Sequence, residues 1–326
     1  MTVVITGGCG FIGTNFVLNW LETKNESLVN IDKLTYAASK TAAKLDHDRY
    51  LFIEGDIEDK KRINELLFRY KPRSVINFAA ETHVDRSIEN PSQFISTNVI
   101  GTCSLLDCCL GYWASLDSDE AEGFKFIQIS TDEVYGSLTQ NAKPFSESSP
   151  IAPNSPYSAS KASADLISRS YYKTYGLPVV ITRCSNNFGQ YQNEEKFIPK
   201  IILSAISDTK IPIYGDGTQI RDWLFVEDHV EAIVSLLELG RSGDVYNIGG
   251  GTELTNISLA LMICKALDVK FALPPGHFER SIEFVEDRLG HDFRYAINSD
   301  FISKTTGWRV KRDFTSSLLR TIDFYT

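Results

Sequence analysis

The sequence predicts an α/β fold: a doubly wound parallel sheet followed by a smaller C-terminal α/β lobe. Three observations carry this expectation. Short apolar runs alternate with longer amphipathic ones through residues 1–183, and the first apolar run ends in a cluster of glycines. Beyond residue 183 the rhythm changes to loop-rich sequence carrying Pro199, Pro212, Pro274 and Pro275. Strands alternating with helices call for right-handed crossovers, and these pack a parallel sheet between two helical layers.

Taken in order, the apolar runs Thr2 to Thr6, Leu28 to Asp32, Tyr50 to Glu54, Ser74 to Phe78 and Phe126 to Ile129 read as strands, and Pro178 to Thr182 supplies a sixth. Thr14 to Leu21, Lys60 to Tyr70 and Pro91 to Leu110 carry helical periodicity, with Asp59 placed to cap the second. Residues 1–183 are thus expected to form a dinucleotide-binding domain. Residues 184–326 would form a substrate lobe, from which a helical segment at about 222–240, centred on Val226 to Leu239, returns to the first domain.

With 326 residues, 43% of them hydrophobic, the chain can bury one large or two modest cores. A net charge of -9 opposes binding to a nucleic-acid polymer, because a phosphate backbone calls for a broad basic surface. No run read from the sequence approaches the roughly 20 apolar residues of a membrane span. No Lys or Arg precedes Lys24 to begin a signal peptide, so a cytoplasmic location is expected. The six cysteines lack paired spacings and are expected to be reduced, and the five histidines form no HxxxH pair, so no metal is expected.

The opening VVITGGCGFIGTNF places Gly7, Gly8, Gly10 and Gly13 between a strand and a helix. Missing Cβ atoms allow the tight turn, and backbone N–H groups at the helix start attract a pyrophosphate. The next strand ends in Asp32, whose carboxylate suits two ribose hydroxyls and would repel a 2′-phosphate. NAD is therefore expected rather than NADP, with Gly7, Gly10, Phe11, Ile12 and Gly13 at the phosphates and Asp32, Lys33 and Thr35 at the ribose. Asp56 and Ile57, after the third strand, are placed near the adenine, with Ala79 following the fourth.

Tyr157 and Lys161 stand one turn apart on a helix that begins after Pro156, so an ammonium can favour the phenolate of an otherwise poor base. Just past the strand Phe126 to Ile129 come Thr131, Asp132 and Glu133. Strand C-termini gather catalytic groups in doubly wound folds, and two adjacent carboxyl groups can divide into an acid and a base.

At these residues the chain resembles the extended short-chain dehydrogenase/reductases, and within them the NAD-dependent epimerase/dehydratase group in its 4,6-dehydratase branch. Matching stretches include TGGCGFIGTNF, DKLTYA, NFAAETHVDRSI, NVIGT, STDEVYG, SPYSASKASAD, IYGDGTQIRDWLFVEDH, YNIGGG and DRLGHDFRYAI, spanning nearly the whole chain. The TDE of STDEVYG is the most discriminating, because related epimerases carry other residue types at the two acidic positions. The resemblance implies a Rossmann-type fold and dehydration of a nucleoside-diphosphate glucose, dTDP-glucose favoured, to its 4-keto-6-deoxy product.

It also implies roles. Tyr157 would take the C4 hydroxyl proton with Thr131 positioning that hydroxyl, Lys161 would hold the nicotinamide ribose, Glu133 would take the C5 proton, and Asp132 would protonate the departing C6 hydroxyl. His83, Asn186, Asn187, Lys196, Arg221, Asn256, Arg288 and His291 would bind the substrate, the two arginines offering forked donors to phosphate, while Pro212 and Tyr214 would pack on the base. A homodimer pairing the helices Pro91 to Leu110 and Tyr157 to Tyr175 is expected. The chain departs from the family pattern at Gln190 and Glu194, where prolines are usual, and at Thr82, where serine is; the first two predict a looser loop over the nucleotide. A UDP-glucose 4,6-dehydratase, a UDP-sugar 4-epimerase and a silent NAD-binding regulator are the alternatives that these residues leave.

Overall fold

The computed structural model describes residues 1–326. Seven parallel strands form the main sheet in the order β10-β6-β5-β4-β1-β2-β3. They are β1 (Thr2–Thr6), β2 (Ser27–Asp32), β3 (Tyr50–Glu54), β4 (Ser74–Asn77), β5 (Lys125–Thr131), β6 (Val179–Cys184) and β10 (Val245–Ile248). The first six lie where the apolar runs predict them. The seventh, β10, has no counterpart in the sequence reading, and it pairs with β6 from beyond the first part of the second lobe.

Two helical layers cover this sheet. On one side α1 (Phe11–Thr23) packs against the helix Val226–Leu239, burying Phe16, Trp20, Ile233, Leu236 and Tyr246 in one core. On the other side lie α2 (Lys60–Tyr70), α3 (Pro91–Trp113) and α4 (Pro156–Tyr175), with Leu66, Leu67, Leu105, Leu106 and Tyr171 in a second core. Local chemistry sets the ends of these helices. Asp59 accepts from Arg62 N at the start of α2. Ser155 and Ser158 form a reciprocal cap before α4, where Pro156 opens the first turn and Gly176 closes the last with φ 78°.

α3 differs from its sequence reading in two ways. Residues Ile95–Gly101 wind as a π-helix between α-helical ends, so the helix carries a wider turn than a uniform 3.6-residue period gives. At 23 residues it is also long and apolar enough to cross a membrane, which the count of apolar runs overlooked. Half of its apolar stretch is buried inside the protein, where it packs on α2 and α4.

The second lobe has its own core, with Ile198, Ile202, Leu259 and Ile263 at its centre. It holds two small sheets: β7 (Asn186–Phe188), β9 (Ile220–Phe225) and β11 (Glu253–Thr255) in one, β8 (Ile211–Tyr214) and β12 (Ile282–Val285) in the other. Directly after β9 the chain re-enters the first lobe as the helix Val226–Leu239, which packs on α1. All six cysteines carry free thiols.

Candidate active site

The strand order reverses between β1 and β4, and a crevice opens there beyond the carboxyl ends of the strands, the usual ligand position in such sheets. It is a cavity of roughly 400 Å³ running from Asp32 to the second lobe at Lys196.

The glycine turn forms one end. Gly7 has φ +70°, and a Cβ there would lie 2.5 Å from Ala79 N; a Cβ on Gly13 would lie 2.4 Å from the Gly7 carbonyl oxygen. Both positions therefore need glycine for close backbone packing. Gly10 caps α1 without a side-chain hydrogen bond, and Gly10, Phe11, Ile12 and Gly13 all line the cavity, which leaves backbone donors facing it. The residues present fit a dinucleotide.

Asp32, Lys33, Thr35, Asp56, Ile57 and Ala79 line the same end. Asp32 also holds the turn together, accepting from Cys9 N and Leu34 N, each at 2.8 Å. Burial raises its pKa against these two donors. Lys33 pairs with Asp56 at 2.5 Å, and Asp56 also accepts from Glu58 N, closing a local turn.

Thr131, Glu133, Tyr157 and Lys161 line the middle of the cavity. Thr131 ends β5 and accepts from Glu133 N, starting the short 3-10 turn Asp132–Tyr135. Tyr157 sits in the first turn of α4, with its backbone N–H on Ser87 Oγ and its ring edge-on to Phe94. Its pKa is pushed well above the ordinary tyrosine value by burial and by the charge of Glu133, with the Thr131 hydroxyl pulling it back. The Lys161 ammonium donates to Ile129 O at 2.7 Å and is itself held below its usual pKa by burial. In this arrangement the ammonium is turned to a strand carbonyl.

The two adjacent carboxyl groups meet different surroundings. Asp132 is 2% exposed and stands behind the cavity wall, with Oδ2 unpartnered by protein. Burial, then the charges of Glu133 and Asp222, push its pKa well up. Burial raises Glu133 too, but Arg221, Lys196 and Arg288 all favour its charged form. Burial raises both carboxyl groups, Asp132 the further, and Glu133 alone has Lys196 and Arg288 as well as Arg221 to favour its charged form.

Of the expected substrate residues, Asn186, Asn187 and Lys196 line the cavity. His83, Pro212, Tyr214, Arg221, Asn256, Arg288 and His291 lie outside its wall, and several are engaged by protein. The forked donors of Arg221 go to the carbonyls of Ile220, Phe293 and Asp292, beneath which Tyr295 stacks at 4.4 Å. Arg288 is paired with Asp85, and His291 with Asp287 at 2.6 Å. His83 Nδ1 accepts from Arg86 N, Asn256 begins the helix Asn256–Lys270, and Pro212 and Tyr214 lie on β8.

The loop that lacks the usual prolines is not loose. Asn15 donates to Gln190 O, Gln192 donates to Asn187 O, and the Tyr325 hydroxyl donates to Gln192 O at 2.5 Å. Side-chain bonds hold it where ring constraints would otherwise do so. Two groups were missed in the sequence: Glu195, which lines the cavity and accepts from Tyr36 and Arg86, and Asp85. Asp85 lies within the matched stretch NFAAETHVDRSI, but its partner is 203 residues away.

The family model described as GDP-mannose 4,6 dehydratase matches residues 4–321. A dTDP-glucose 4,6-dehydratase of Xanthomonas campestris pv. campestris (strain B100) is 47% identical over 327 residues, covering 99% of this chain and 93% of the relative. The chain belongs to this dehydratase family. The family's dTDP-glucose 4,6-dehydratase 1 of Escherichia coli (strain K12) is 44% identical, covering 100% of this chain and 92% of the relative. Among solved structures, the family member from Streptomyces venezuelae, crystallised with NAD, superposes with a TM-score of 0.90 at 39% identity, covering 100% of this chain and 97% of that one.

Proposed function

We propose that this chain is an NAD-dependent hydro-lyase that converts dTDP-glucose to the 4-keto-6-deoxy sugar nucleotide, with Thr131, Asp132, Glu133, Tyr157 and Lys161 as its reactive groups. The reading rests above all on Thr131, Glu133, Tyr157 and Lys161 lining one cavity with the glycine turn, with Asp132 buried beside them. The glycine turn, Asp32, Lys33, Thr35, Asp56, Ile57 and Ala79 hold NAD, which when bound takes a hydride from C4 of the sugar and returns it at C6. Tyr157 takes the C4 hydroxyl proton, assisted by Thr131. Lys161 leaves Ile129 O for the nicotinamide ribose, and there its charge lowers the cost of the phenolate.

Oxidation at C4 acidifies the C5–H bond. Glu133 removes that proton, and Asp132, kept protonated by burial, gives one to the leaving C6 hydroxyl. A proton then returns to C5. Atoms balance as the loss of one water, and no external oxidant is consumed.

Residues 1–183 with the returning helix serve the cofactor in this reading, and 184–326 serve the nucleotide. Asn186, Asn187 and Lys196 meet the diphosphate together with Arg221 and Arg288 once these exchange their protein partners, while His83, Asn256, His291, Pro212 and Tyr214 complete the substrate wall. The enzyme works in the cytoplasm as a homodimer through α3 and α4, on which Ile95, Ile100 and Leu166 stand 51%, 53% and 53% exposed. A monomeric mass in light scattering at micromolar concentration would remove the dimer. Incubation with dTDP-glucose and with UDP-glucose, followed by the alkali-induced absorbance of a 4-keto-6-deoxy product, tests the reaction and the base. Inversion at C4 without loss of water would instead assign an epimerase.

A further inference from the structure

The short helix Val84–Glu89 carries Asp85, which meets Arg288 and Tyr214 of the second lobe. Arg288 Nη2 donates to Asp85 Oδ2 at 3.1 Å, while Arg288 Nε lies 2.5 Å from Oδ1 as an ion-pair contact that is not aligned for a hydrogen bond, leaving that N–H unsatisfied. Tyr214 completes the grip, its hydroxyl donating to the same Oδ2 at 3.3 Å while the Arg288 guanidinium lies 5.1 Å from the ring centre. The carboxylate thus stands against both donor edges of Arg288, where a phosphate would bind, but satisfies only one of them, which leaves the Nε donor for an incoming phosphate oxygen. The charge of Asp85 also acts on Lys196 and His83, so this one acid faces three of the groups assigned to the substrate diphosphate.

We propose that Asp85 is a displaceable latch: its carboxylate occupies the diphosphate place on Arg288 and Tyr214 when no nucleotide is there, and substrate entry must expel it. The inference rests on the reading of Arg288 as a diphosphate ligand. A dianionic diphosphate cannot share Arg288 with a carboxylate at this distance without strong repulsion, so the ion pair opens as the substrate binds. Opening it also frees the tie between the helix Val84–Glu89 and the loop at Asp287–Arg288. The latch thereby weakens the affinity for every nucleoside diphosphate, product included, and keeps Arg288 paired while the site awaits substrate.

Asp85 lies outside the reacting groups, and both its removal and its neutralisation are informative. Calorimetric titration of dTDP into the wild type, Asp85→Asn and Asp85→Ala is expected to show both variants binding about two- to fivefold more tightly, the range that loss of a competing, partly exposed ion pair gives. The KM for dTDP-glucose should fall with it, and in an Arg288→Ala background the substitution should have no effect. Equal or weaker dTDP binding in either variant overturns the latch, since a residue that positions Arg288 for the ligand gives that result. Inorganic pyrophosphate, which carries the anion without base or sugar, is titrated in parallel. If dTDP fails to bind the wild type, the nucleotide reading falls, and the ratio of pyrophosphate affinities still decides the role of Asp85.

Discussion

The two walls of the cleft hold their polar groups in opposite ways. On the large-sheet wall, the groups facing the cavity are backbone donors in a fixed glycine turn, braced by Asp32 through Cys9 and Leu34. On the second-lobe wall, the side-chain donors are committed elsewhere: Arg221 to three carbonyls, Arg288 to Asp85, His291 to Asp287. Apart from Lys161, which must leave Ile129 O, the first wall is ready for its ligand, whereas on the second Arg221 and Arg288 must trade partners to receive theirs. A cofactor retained through the catalytic cycle suits the first arrangement, whereas a substrate that enters and leaves at every turnover suits the second.

The largest effect should come where the walls meet. Glu133→Gln keeps the size of the side chain and removes the base, so kcat should fall by about 10²- to 10⁴-fold. Reduced cofactor should accumulate on the enzyme, visible by absorbance, because oxidation at C4 does not need Glu133. The same residue sets a pH dependence. Glu133 must be ionised to act, and burial raises its pKa, so the acid limb of kcat/KM should lie above the ordinary carboxylate range, activity being lost as pH falls through that raised value. Over that window the folded state binds more protons than the unfolded one, so the group's contribution to stability declines as pH rises. An acid limb at an ordinary glutamate value would remove the distinction between the two carboxyl groups.

Next in size is a test of whether the large-sheet wall is rigid by construction. Asp165 on α4 and Arg183 on β6 form a buried ion pair at 2.9 Å behind the reactive end. Asp165→Ala leaves the guanidinium unpaired and should cost about 3–5 kcal/mol in denaturant unfolding. Loss of less than about 1 kcal/mol would show that water or Tyr135 already compensates the charge. A smaller change is expected on the cofactor side: Asp32→Ala should reduce NAD retention by about 1–3 kcal/mol, read from the cofactor content of purified protein. The smallest sharpens the comparison most. Arg221→Lys should raise the KM for dTDP-glucose by about tenfold through loss of forked geometry while leaving the NAD content unchanged. A fall in NAD content would join the two walls into one unit.

What the sequence revealed was local. The strands, the cap at Asp59, the glycine turn and the one-turn spacing of Tyr157 and Lys161 all depend on neighbours within a few residues, and each lies where the pattern placed it. β10 is four residues long and takes its place only through β6, which precedes it by some sixty residues, so no local period announces it. The π segment of α3 escapes a search based on a 3.6-residue repeat. The partner of Asp85 is hidden for a similar reason, because ion pairs between distant loops leave no mark in either stretch alone. The direction of the Lys161 ammonium, toward Ile129 O, follows from the depth of a side chain in the folded core, which spacing along a helix does not give.

The π-helical turn Ile95–Gly101 has a consequence for how this helix tolerates change in length. It presents Asn98, whose amide donates to Glu81 O and Ser160 Oγ and whose carbonyl accepts from Glu81 N, tying three elements at one point. A π turn is an α-helix with one residue inserted. Deleting a residue here lets the ladder close as ordinary α-helix with both flanks still in phase, whereas a deletion within Thr102–Trp113 turns everything beyond it by about 100° and carries buried leucines toward solvent. Single-residue deletions along α3 should therefore be survivable only near Asn98, and there at the expense of the knot that Asn98 ties.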